Sequence, residues 1–83
     1  MSREVTLYTR RDCGLCDDTA AALEELRPQL GFALIVRDID DDAGLRARYN
    51  ERVPVVASGG RVIAEAPVDA LVLRRAIEAA LTT

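Results

Sequence analysis

Histidine, lysine and tryptophan are absent from this 83-residue sequence, and cysteine occurs only twice. A closed zinc site takes four ligands, usually cysteine and histidine. One chain alone would have to complete such a site with carboxylates. Two chains could pool four thiolates, for zinc or for an iron–sulfur cluster. No apolar run approaches the ~20 residues that span a bilayer. The opening Met-Ser-Arg-Glu-Val leads straight into a strand pattern, with no apolar signal segment. The expectation is therefore a cytoplasmic protein without a membrane partner. All eleven basic residues are arginines, and the net charge is −3. Apart from the adjacent pairs Arg10–Arg11 and Arg74–Arg75 the arginines are scattered, which excludes nucleic acid as an expected partner. Repeats, low-complexity tracts and linkers are missing as well, so residues 1–83 read as one small domain.

What is present is closely punctuated. Glu4 to Thr9 alternates in the manner of a strand, with Val5 and Leu7 on one face. From Gly14 the spacing turns helical: Leu15, Thr19, Ala22, Leu23 and Leu26 form a stripe that Pro28 and Gly31 bring to an end. Phe32 to Ile39 is nearly all apolar and predicts a strand buried on both faces. Asp41 or Asp42 then caps a short helix carrying Leu45 and Tyr49 and stopping near Asn50. Arg52 to Ala57 predicts a third strand with Pro54 confined to its start. Ser58-Gly59-Gly60-Arg61 reads as a tight turn into a fourth strand, Val62 to Glu65. Pro67 suits the first turn of a last helix striped by Ala70, Leu73, Ile77, Ala80 and Leu81, with Leu71 meeting the first helix and Val72 left without a place.

The order is β-α-β-α-β-β-α. Its first three elements form a right-handed parallel unit, and the hairpin sets the third strand antiparallel to the first. The expected result is an α/β domain of the thioredoxin type. It has a four-stranded mixed sheet, with the first and third helices on one face and the second on the other.

Both cysteines lie in Cys13-Gly14-Leu15-Cys16, where the first strand gives way to the first helix. Four readings compete, one of them two inert buried cysteines, against which their spacing and position count. Metal or cluster binding needs carboxylates of this chain or thiolates of a second one. A purely structural staple is weak, because so short a loop removes little chain entropy and cytoplasmic thiols are kept reduced. A redox pair uses every feature present. Cys13 falls at the positive end of a helix, where unpaired N–H groups stabilise a thiolate. Cys16 lies one turn further on, within the 5–6 Å Cα separation of a disulfide, roughly. Cysteine pairs at this spacing beside a βαβ pattern mark thioredoxin-like redox sites. Cys13 is then the exposed attacking thiol and Cys16 the deeper resolving one.

The segment Val5-Thr-Leu-Tyr-Thr-Arg-Arg-Asp-Cys-Gly-Leu-Cys16 resembles the strand and active-site loop of glutaredoxins. Arg52-Val-Pro-Val-Val56 resembles their Thr-Val-Pro segment, and the hairpin and last helix follow at matching distances, so the resemblance covers essentially the whole chain. It is closest to the small bacterial glutaredoxin-like domains. The resemblance implies a thiol–disulfide oxidoreductase acting on a disulfide-containing protein or a small thiol substrate, with no bound cofactor, and recycled by glutathione or a reductase. It further implies a cis Val53–Pro54 peptide facing the cysteines, with the Val53 backbone free to pair with substrate. Arg10 stands where the family often has a lysine that meets a glutathione carboxylate. Two positions depart from the pattern: Gly14-Leu15 replaces a proline–aromatic pair between the cysteines, and Ala64-Glu65 replaces a Gly-Gly pair before the last helix. Asp69 matches the family's following aspartate.

Overall fold

In the computed structural model, residues 3–65 and 69–82 are described. The elements are β1 (Glu4–Thr9), α1 (Gly14–Leu30), β2 (Ala33–Asp38), a 3-10 turn (Ile39–Asp41), α2 (Ala43–Tyr49), β3 (Val55–Ser58), β4 (Arg61–Glu65) and α3 (Ala70–Leu81). The sheet runs β2-β1-β3-β4. β1 and β2 are parallel, whereas β3 is antiparallel to both β1 and β4. The thioredoxin-type α/β architecture expected from the element order is the one observed.

Alternation along the two central strands creates two apolar layers. Val5, Leu7 and Val56 face α1 and α3, where Leu23, Leu26, Leu73 and Ile77 complete the main core. Val55 and Tyr8 point to the other side, against Ile39, Leu45 and Tyr49 of the α2 layer. Leu7, Leu23, Leu73 and Ile77 are all but fully buried, and each such side chain contributes about 1.5–3 kcal/mol relative to exposure.

The strand buried on both faces is β3, not β2 as the apolar run had predicted. Val55, Val56 and Ala57 are buried in succession. β2 takes a sheet edge, so it has β1 on one side only. Its Val36 is 55% exposed although its register partner Leu7 is fully buried. A run of apolar residues reports an average environment; strand order decides which strand is interior.

Helix ends follow local chemistry. α1 stops at Gly31, whose φ of 72° is the left-handed cap that glycine takes without a Cβ clash. Pro28 lies inside the last turn and does not end the helix, contrary to the sequence expectation. Arg3 closes the same end from a distant part of the chain, donating from Nη2 to the Leu30 carbonyl (2.8 Å) and from Nε to that of Gly31 (3.0 Å). Asp42 caps α2 through the Gly44 and Leu45 amides. Asp69 caps α3 through the Val72 amide, so that helix begins at Ala70; Pro67 lies outside the described residues. The β3–β4 turn holds Gly59 and Gly60 at φ 59° and 78°, the pair of positive values a two-residue type I′ hairpin needs. β4 starts at Arg61, and a bulge beside Val56 and Ala57 shifts its register.

Three apolar positions do not sit where the helical stripes placed them. Leu15 and Leu71 are each 55% exposed and Ala70 is exposed, and Val72, left without a place, is 51% exposed.

Candidate functional site

The chain leaves β1 at Thr9 and turns through Arg11 and Asp12 into α1. Asp12 takes φ 58°, the left-handed region that aspartate tolerates better than most residues. That turn delivers Cys13 as the N-cap of α1, with extended backbone angles of −110° and 102°. Its Sγ accepts the Cys16 amide hydrogen at 3.1 Å. One of the orphan donors at the helix start is thereby aimed at sulfur. Cys13 and Cys16 form a disulfide, their Cα atoms 5.2 Å apart. Cys13 is half-buried and Cys16 fully buried. The one buried polar side chain among the described residues is Thr19, one turn beyond Cys16, and its hydroxyl donates to the Leu15 carbonyl at 2.8 Å. Among the described residues no group of three or more metal-ligating side chains includes the cysteines.

Sheet register places the other expected site residues at this end. Val55 pairs with Tyr8, near the end of β1 that leads to Cys13. Pro54, fully buried, and half-buried Val53 therefore enter the sheet beside the β1–α1 turn, and the peptide between them is cis. Arg10 is at the same end, but its guanidinium is engaged internally. Nη2 and Nε donate to the two carboxylate oxygens of Asp40 at 2.8 and 3.0 Å, and Nη1 donates to the Asn50 carbonyl at 2.9 Å. This fork ties β1 to the 3-10 turn and the end of α2. The hydrogen bond from Arg10 holds the Asp40 carboxyl below the usual carboxylate value, with partial desolvation opposing, and the same bond raises Arg10.

The Ala64-Glu65 departure has a partner that sequence reading missed. Glu65 is ion-paired with Arg52, the residue preceding Val53. The Arg52 guanidinium also lies 5.4 Å from the centroid of the Tyr49 ring, which stacks on Tyr8 with centroids 4.7 Å apart. Opposite charges on Arg52 and Glu65 were visible in the sequence, but only the hairpin register brings them together. A cleft lined by Arg3, Ser58, Arg61 and Leu81 lies at the other end of the sheet, away from the cysteines.

Comparison with known proteins agrees with this fold. An uncharacterised protein of Mycobacterium tuberculosis is 43% identical over 67 residues, which cover 74% of this chain and 69% of that protein. The crystal structure of a structural-genomics target protein from X. campestris superposes with a TM-score of 0.78 at 43% identity, covering 92% of this chain and 97% of that one. The glutaredoxin-like protein NrdH-redoxin from Escherichia coli, described as having a thioredoxin-like activity profile, superposes with a TM-score of 0.57 at 29% identity over 86% of this chain and 92% of its own. The sequence matches the family described as Glutaredoxin-like domain (DUF836) over residues 4–78. Because that span runs from the first strand into the last helix and includes the cysteine pair, the chain belongs to this glutaredoxin-like domain family.

Proposed function

We propose that the chain is a thiol–disulfide oxidoreductase in which Cys13 attacks and Cys16 resolves. One observation carries the reading: the two sulfurs bond across the first turn of α1, with Cys13 reachable from solvent and Cys16 sealed beneath it. In the reduced protein the Cys13 thiolate, favoured by the helix start and the Cys16 amide, attacks one sulfur of a substrate disulfide. That S–S bond breaks and the first substrate thiolate leaves, taking a proton from solvent. Cys16 then loses its proton and attacks the Cys13 sulfur of the mixed disulfide, releasing the second substrate thiol. The substrate gains two electrons and the protein is left with its Cys13–Cys16 bond. Glutathione or a thioredoxin-type reductase would return the electrons, and the substrate is a disulfide-containing protein or small molecule. The Val53 backbone at the Pro54 turn is the edge against which an extended substrate would pair.

Equilibrating the protein with glutathione and with thioredoxin tests the reading. A midpoint potential between about −200 and −270 mV is expected for a reductant of this class. Cys13→Ser abolishes disulfide reduction, and Cys16→Ser accumulates the mixed disulfide, read by mass spectrometry. Full activity of the Cys13→Ser protein would refute the assignment.

A further inference from the structure

We infer that the face around Cys13 docks a cationic, apolar polypeptide segment bearing the disulfide, in preference to an anionic thiol such as glutathione. The inference rests on the redox reading above and names the substrate class of that site.

Two observations support it. The first is charge. Of the arginines near this end of the sheet, Arg10 is neutralised by Asp40 and Arg52 by Glu65, while Arg37, Arg46 and Arg48 belong to the α2 side, across the sheet from α1. Arg11 points into solvent, with Asp38 at 3.9 Å. Asp12, Asp17 and Asp18 flank the two cysteines, are exposed, and form no ion pair among the described residues. Among the residues flanking the cysteines, three unpaired carboxylates therefore stand against Arg11, which is itself paired with Asp38. The field there attracts positive charge and repels the two carboxylates of glutathione.

The second is apolar exposure. β4 runs in the same direction as β1, because β3 is antiparallel to both. The start of α3 therefore lies at the same end as the start of α1, and both helices cover the same face of the sheet. Leu15 follows Cys13 by two residues, and Leu71 and Val72 open α3; all three are more than half exposed. Three of the five large exposed apolar side chains among the described residues thus belong to the two helix starts at the cysteine end. Exposed apolar side chains at the same end as unpaired acids match a partner whose contact residues are apolar and basic.

The test follows thiol loss from the reduced full-length protein with three oxidants. These are neutral hydroxyethyl disulfide, a short disulfide-linked peptide with arginine and leucine flanking its cysteine, and the same peptide with glutamate replacing arginine. The cationic peptide should react about tenfold faster than the anionic one at low ionic strength, with the ratio shrinking as salt screens the field. The Cys13 thiolate contributes to that ratio in any variant, so the triple substitution Asp12→Asn, Asp17→Asn and Asp18→Asn isolates the aspartates; it should bring the ratio below about threefold. Replacing the peptide leucine by serine should slow the cationic reaction several-fold. Equal peptide rates, a faster anionic peptide, a ratio that the triple variant leaves intact, or indifference to the peptide leucine would overturn the docking inference while hydroxyethyl disulfide still reacts. No reaction with any of the three oxidants would overturn the redox reading and this inference together.

Discussion

Arg10 grips both carboxylate oxygens of Asp40 across thirty residues of sequence, and its third nitrogen holds the Asn50 carbonyl. Its fork therefore closes the α2 layer onto the end of β1. Asp40 is held below its ordinary carboxylate value by that hydrogen bond. The unfolded chain thus takes up a proton at Asp40 before the folded one does. The associated stability is fully present above the unfolded value, near 3.8, and is lost as pH falls through the lower folded value. Urea midpoints between pH 7 and pH 2.5 should show this acid limb, and Asp40→Asn should flatten its contribution. Arg10→Lys, which keeps the charge but not the fork, should weaken it as well.

Asp12 makes the turn into Cys13 with a positive φ. Asp12→Gly should hold or slightly raise stability, because glycine adopts this conformation without a Cβ clash. Asp12→Val should cost about 1–2 kcal/mol. Denaturant midpoints of the two variants, measured in the oxidised protein, check the contrast.

Leu23 and Leu71 are the same residue type on neighbouring helices with opposite environments. Leu23→Ala should lose about 2–5 kcal/mol, a large share of what so small a domain holds. Leu71→Ser should stay within about 0.5 kcal/mol. Comparable losses from the two would show that Leu71 packs in solution.

Reducing the Cys13–Cys16 bond opens a very short loop, so stability should fall by about 2 kcal/mol or less. Calorimetry of the oxidised and reduced forms checks this. A collapse of the fold on reduction would mark the bond as a staple and count against a pair that cycles.

Features set by neighbours in sequence were legible. The Ser58–Arg61 turn, the glycine stop at Gly31 and Cys13 at a helix start all depend on a few adjacent residues, and the structure has each of them. Features set by the order of strands were not. Phe32 to Ile39 looked interior because it is apolar, yet the sheet puts β2 at its edge and gives the interior to shorter β3. Leu15 fitted the α1 stripe and Leu71 an approach to α1, but a helical repeat does not say how far the neighbouring helix extends over it. The Arg52–Glu65 pair needed the bulged hairpin register to exist at all. At the site, the cysteines were readable by type and spacing. The internal engagement of Arg10 by an acid in another layer was not.

In the proposed chemistry the amide of Cys16, aimed at the Cys13 sulfur, would supply what histidine or lysine often provides to a reactive thiol. A main-chain donor has no ionisation of its own at working pH and survives any side-chain exchange short of proline. With Cys16 replaced by serine, a protein activated this way should react with an alkylating probe along a single sigmoid in pH, governed by Cys13 alone.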